Sequence, residues 1–247
     1  MNDVAAETRC EIIVEEMECP RPDGAAMAVR VARPKEKGPF PAVVDVHGGA
    51  WVAHDRHRNA VIDDFLAANG IVVAALEFRK PPEGAYPISI ADIHLGIRWL
   101  KAKAVALGSR PDLVGGMGTS SGGHQLMLSA LRPADPRYGA LALREAPMMD
   151  ATLRFAISCW GVVDPLARFR MVQQRQAKDL LDAHAAYWSD EAARLHQSAC
   201  SRTGSTLKWC WTRARARRSM PIMRSVRSTW SKVKSRSQAT VSKARAC

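Results

Sequence analysis

Gly118-Thr119-Ser120-Ser121-Gly122-Gly123 is the stretch whose reading decides the fold. It contains a G-x-S-x-G, and its surroundings give the motif meaning: Asp112 to Gly118 reads as a strand, and Ser121 to Leu131 as a helix opening on two glycines. A serine held on a tight strand-to-helix turn needs small residues two before and two after it, because larger side chains would collide across the turn. The glycine spacing therefore selects Ser120, not Ser121, as the presented hydroxyl. A chance match arises in on the order of 10% of chains this long, so a second motif must agree before the pattern carries weight.

That second motif lies upstream. Pro41 to Val46 is a short β-branched run of the kind found in buried parallel strands, and His47-Gly48-Gly49-Ala50-Trp51 follows it directly. Glycine lets a backbone approach a reacting group closely, so such a loop can aim N–H groups at an oxyanion. Between the motifs, Asn59 to Asn69 has helical spacing at Val61, Ile62, Phe65 and Leu66, with Gly70 as its cap, and Ile71 to Leu76 is a further buried strand. Ile90 to Leu107 tracks a second helix ending at Gly108. Glu11 to Glu16 and Ala25 to Ala32 read as leading strands, and Phe155 to Trp160 as a sixth after an irregular stretch rich in Pro, Met and Ala. Gln174 to Gln197 reads as a last helix with apolar positions at Leu180, Leu181, Ala185, Trp188 and Leu195. Strands alternating with helices at this spacing predict βαβ units, hence an α/β fold around a mostly parallel sheet.

With both motifs in this order, the sequence resembles the α/β-hydrolase superfamily, most closely the hormone-sensitive-lipase-like serine esterases, whose HGGG loop and GxSxGG elbow correspond to His47–Ala50 and Gly118–Gly123. The resemblance runs over about residues 25 to 197 and takes in Phe78-Arg79, Tyr86-Pro87, Ala91-Asp92, Arg98-Trp99 and Val163-Asp164-Pro165. It implies an α/β-hydrolase fold, a mostly parallel sheet flanked by helices, and hydrolysis of carboxylic esters through an acyl-enzyme, with no cofactor and no metal. It implies Ser120 as nucleophile and an oxyanion hole drawn from Gly48, Gly49, Ala50 and the N–H of Ser121. Ala50 stands where the family has its third glycine. Amide hydrolases of the arylformamidase type carry a similar His-Gly-Gly-x-Trp, so the expected partner is a small-molecule ester or amide.

The same resemblance orders the triad as serine, then acid, then histidine. Neither later member is found: no Asp or Glu follows Glu191, and no His follows His196. Without an imidazole to take its proton the Ser120 hydroxyl stays a poor nucleophile, so the 247 residues are expected to be inactive or nearly so, and the sheet to lack its last strands. Other candidates read otherwise. His124, one turn into the elbow helix, is a packing or capping residue; Asp150 and Asp164 come too early to be the acid. His184 and His196 fall in helical patterns with surface roles, and His54 and His57, beside Arg56 and Arg58, form a polar loop and not a metal site.

Composition divides the chain. No run approaches the roughly 18–20 apolar residues that span a bilayer, and Met1-Asn2-Asp3 does not open a signal peptide, so a cytoplasmic protein without a membrane partner is expected. The six cysteines show no CxxC pair. The net charge of +12 is uneven: residues 1–191 hold all 24 acids and 22 of the 36 Lys and Arg, whereas residues 192–247 hold 14 Lys and Arg and no acid. Residues 1–197 are therefore read as a partial α/β-hydrolase domain and 198–247 as a basic tail, either disordered or translated in a shifted frame. The alternative is a non-catalytic binding module with a nucleic-acid arm, in which Arg213 to Arg218 would supply charge and Trp209, Trp211 and Trp230 would stack on bases. Nucleic acid is not the expected partner.

Overall fold

The computed structural model describes residues 10–188. Its elements run β1 (Ile12–Pro20), β2 (Ala26–Pro34), β3 (Phe40–Val46), α1 (Ala60–Ala68), β4 (Val72–Leu76), α2 (Ile88–Lys103), β5 (Ser109–Thr119), α3 (Ser121–Leu131), β6 (Ala156–Cys159), α4 (Pro165–Gln174) and α5 (Lys178–Tyr187). The six described strands form one sheet in the order β1-β2-β4-β3-β5-β6. β1, β2 and β4 are joined antiparallel, and β4, β3, β5 and β6 run parallel. The α/β architecture with a mostly parallel sheet is therefore present, and β3, β4, β5 and β6 are the adjacent strands that the apolar runs predict.

The centre of the sheet is apolar on both faces because helices cover both. Every residue of β4 is buried, as are Ala42 to Val46 of β3. Helix α2 lies so deep that all residues from Ser89 to Lys101 are buried, and its charged side chains each find a partner, whereas the buried Trp99 Nε1 has none among the described residues. Asp92 accepts from the backbone N–H and from Nε and Nη2 of Arg79 at 2.7–2.9 Å. His94 Nε2 meets the Pro133 carbonyl at 2.8 Å, the Arg98 guanidinium donates to the Leu141 carbonyl, and Lys101 Nζ reaches Asp150 at 2.9 Å. The irregular stretch before β6 thus supplies the acceptors for α2, and Asp150 is occupied as an ion-pair partner.

Two expectations differ from what is observed. Phe155 to Trp160 is not a mostly buried strand: β6 is only four residues long, with Ile157 48% exposed, because it pairs with β5 on one side and lies at the edge of the described sheet. The helix expected from Gln174 begins later, at Lys178, and is preceded by α4, a helix that was not expected. Asp164 caps α4 with its carboxylate accepting from Ala167 N at 2.9 Å, Pro165 occupies the first turn, and the helix stops before Gln176, whose φ of +51° no right-handed helix can hold. Helix α5 then restarts at Lys178. The expected continuation to Gln197, His196 and the tail from 198 lie outside the described residues. Among the described residues no helix is long and apolar enough to cross a membrane.

Candidate active site

The register of the parallel strands brings the two motifs together. Val46 pairs with Gly118 and Thr119 with Cys159, so the loops after β3, β5 and β6 leave the sheet side by side at its carboxyl end, where open α/β sheets bind ligands. Ser120 sits between β5 and α3 at φ +52° and ψ −117°, a conformation that costs a non-glycine residue about 1–3 kcal/mol. Three hydrogen bonds hold it there: Ser120 N donates to Cys159 O at 3.0 Å, and Ser120 O accepts from His124 N at 3.3 Å and Val162 N at 3.4 Å. Ser120 is half-buried and lines an open cleft of about 550 Å³, whereas Ser121 is buried.

The glycines of the elbow are required by contact. A Cβ on Gly118 would stand 2.6 Å from Gly122 O, and one on Gly122 would overlap the carbonyl oxygens of Val46 and His47. The same closeness seats the upstream loop: a Cβ on Gly48 would lie 3.2 Å from Ser120 Cβ. Gly49, Ala50 and Trp51 follow with φ of +129°, +50° and +68°. Ala50 thus occupies a left-handed conformation that glycine adopts without strain, which is why a glycine suits this position.

The expected oxyanion donors are not equivalent. The Gly48 N–H donates to Thr119 Oγ1 at 3.0 Å, so it is committed to holding the loop and is not free for a ligand. Gly49 and Ala50 line the cleft beside Ser120, and Ser121 opens α3, where the first N–H groups of a helix have no intrahelical acceptor.

Below the loop lies a buried polar chain that sequence reasoning missed. Thr119 Oγ1 also receives Asn59 Nδ2 at 3.4 Å, and the same Nδ2 donates to both carboxylate oxygens of Asp45 at 3.0 Å. Asp63, fully buried, stands 4.0 Å from Arg30 Nη1, while Arg30 Nη2 is engaged at 2.7 Å by Asp64. Burial raises the pKa of Asp45, against the hydrogen bond from Asn59; burial and then the charge of Asp45 raise that of Asp63, against Arg30. These raised values mean that the folded state holds protons the unfolded chain releases. Stability from this pair is full below the ordinary carboxylate range and is lost as pH climbs through neutrality. Asp63→Asn should therefore raise Tm relative to the parent chain by an amount that grows from about pH 5 to about pH 9. A difference that shrinks with rising pH, in thermal melts by circular dichroism, would contradict this.

The histidines fall in different places. His47 is buried, stacks on Phe78 at 4.4 Å and bonds through Nδ1 to Gly48 O at 2.7 Å; burial lowers its pKa. His124 is buried and accepts from Trp51 Nε1 at 3.3 Å, a packing position. His54 and His57 are exposed. His184 is not on the surface: it is fully buried, 4.9 Å from the Trp51 ring and 5.0 Å from that of Trp188. The inward face of α5 carries Leu180, Ala183, His184, Tyr187 and the following Trp188, a spacing of 3, 4, 7 and 8 legible in the sequence, whereas Ala185 is exposed. Tyr187 fixes that face by bonding Ser89 Oγ at 2.9 Å and Gln125 Nε2 at 3.2 Å. Asp164 serves as the cap of α4.

Known proteins resemble this chain over much of its described length. The BD-FAE family profile matches residues 31–199. The probable carboxylic ester hydrolase LipM of Mycobacterium tuberculosis is 32% identical over 128 residues, 51% of this chain and 29% of that protein. Esterase LipC of the same organism is 33% identical over 103 residues, 41% of this chain and 26% of LipC. The chain thus spans under a third of the length of these curated relatives. The solved hyperthermophilic esterase from the archaeon Pyrobaculum calidifontis superposes with a TM-score of 0.61 at 21% identity, over 75% of this chain and 61% of that one, a likeness of fold. The elbow after β5, the glycine loop after β3 and the matched span agree: the chain belongs to the BD-FAE family and has an α/β-hydrolase fold.

Proposed function

We propose that Ser120 is the nucleophile of a carboxylic ester hydrolase acting through an acyl-enzyme. The observation that carries this reading is the strained Ser120 at the end of β5, against Gly48 and in one cleft with Gly49 and Ala50. Its Oγ would attack the ester carbonyl carbon, and the N–H groups of Gly49, Ala50 and Ser121 would meet the oxygen that gains charge. The alcohol then leaves with a proton, and water releases the acid from Ser120. Both proton transfers need a base, and the acid and histidine of that relay are missing from the residues after Glu191 and His196. Residues 198–247 are, on this reading, a hydrolase ending translated in a shifted frame. Free Cys10, Cys19 and Cys159 fit a reducing, cytoplasmic compartment, and small esters are the expected partners.

The test is hydrolysis of p-nitrophenyl acetate and butyrate by the chain with its ending restored. Ser120→Ala should lower kcat by about 10⁴-fold or more, with the fold unchanged by circular dichroism. Undiminished turnover in that variant would remove Ser120 from the mechanism.

A further inference from the structure

The cleft beside Ser120 is bordered by more positive than negative charge. Arg58, from the loop ahead of α1, and Arg168, from α4, both line it, together with the single acid Asp179 and with His54. Among the described residues neither guanidinium has an ion-pair partner, whereas Arg30, Arg33, Arg56, Arg79, Arg110 and Arg137 are each paired with a carboxylate. Arg168 is the more telling of the two. It is half-buried, and its Nε is inaccessible to solvent and has no hydrogen-bond partner. A buried N–H left unmade costs stability, so its retention beside a cleft calls for a functional explanation.

A guanidinium presents parallel N–H groups in a fixed fork that matches a carboxylate. Asp179 also lines the cleft, and its like charge limits where an anion can sit. We infer that the cleft selects esters that also carry a carboxylate, with Arg168 as the anchoring fork and Arg58 as the second, solvent-exposed charge. The inference deepens the ester-hydrolase reading and rests on it for the reacting group, but not for the anion contact itself. Arg168 would be a specificity-determining residue: it fixes the far end of the substrate while Ser120 meets the carbonyl carbon.

The full 247-residue chain offers a direct test, because little turnover is expected to consume the probe. Affinity for 4-acetamidobenzoate and for its methyl ester is measured by calorimetry, with the fluorescence of Trp160, 75% exposed and lining the cleft, as a second readout. The carboxylate should bind about tenfold more tightly than the ester, as a charge-assisted bond predicts. Arg168→Gln should bring the two ligands within about threefold of each other, Arg168→Lys should keep part of the preference, and Arg58→Gln should reduce it less. An unchanged melting curve for each variant establishes that the fold is intact. Equal affinity for the two ligands in the parent chain, or a preference that survives Arg168→Gln, overturns the carboxylate site. Phosphorylation of Ser120 by a neutral organophosphate in the frame-restored chain reports on the ester reading separately. Labelling without carboxylate preference sinks only the anion site, and preference without labelling sinks only the ester chemistry.

Discussion

Restoring the reading frame near the codons for residues 192–200 is expected to raise kcat/KM for a short-chain aryl ester by about 10⁴-fold or more over the 247-residue chain. The magnitude follows from what the chain retains. Binding and oxyanion donors alone give modest acceleration over water, and most of the rate comes from the histidine that deprotonates the serine. The genetic code supplies the reason to look there. Read one base earlier, the codons of Trp209-Cys210-Trp211-Thr212 give Val-Leu-Asp, because tryptophan has one codon and the relevant cysteine and threonine bases are fixed. Ser219-Met220-Pro221-Ile222-Met223 gives, in the same frame, one of Asn, Asp, His or Tyr, then Ala, then a residue of the same four, then Asn, His or Tyr. That string accommodates Asp-Ala-Asp-Asn about 100 residues after Ser120, which resembles where the family keeps its acid. Returning one base, or removing two, would reach this frame. Stop codons in it before residue 220, or a restored protein no faster than the present chain, would end the frameshift account.

The second large effect is on stability. Gly122→Ala should cost about 3 kcal/mol or more and lower Tm by roughly 6–12 °C. The added methyl would overlap the Val46 and His47 carbonyl oxygens and stand 2.7 Å from Val46 C, all backbone at the buried end of β3 and the start of its loop, which cannot turn aside as a side chain can. Gly139→Ala is the control: its nearest neighbours would be Asp135 O at 3.6 Å and His94 Cε1 at 3.9 Å, ordinary contacts, and it should shift stability by less than about 0.5 kcal/mol. Equal melting temperatures for the two variants would mean that the elbow does not press on β3 as described.

What the sequence discloses depends on how local the cause is. Helix α3 matches its expected span because the turn at Ser120 and the run from Ser121 to Leu131 are set by neighbours in the chain. β3 and β4 come within a residue or so for the same reason: unbroken apolar runs admit few alternatives. The Asp45–Asn59–Thr119 chain was hidden because its members are 14 and 60 residues apart and look like loop and strand-end polar residues until the sheet register joins them. His184 was misread because its type suggests the surface, although its position on the face with Leu180 and Trp188 points inward. The break at Gln176 depends on one left-handed residue, and glutamine does not advertise that conformation; the start of α4 at Asp164-Pro165, by contrast, carries a capping residue followed by proline, a signal legible in the sequence.

The central claim, that Ser120 is the reacting nucleophile of this cleft, is tested most directly by intact-mass and peptide mass spectrometry of the frame-restored chain after exposure to diethyl p-nitrophenyl phosphate. The account predicts one diethylphosphoryl group per protein, carried by Ser120, with stoichiometric release of p-nitrophenol. A folded protein that takes up no label, or takes it up on another residue while Ser120 stays free, would contradict it.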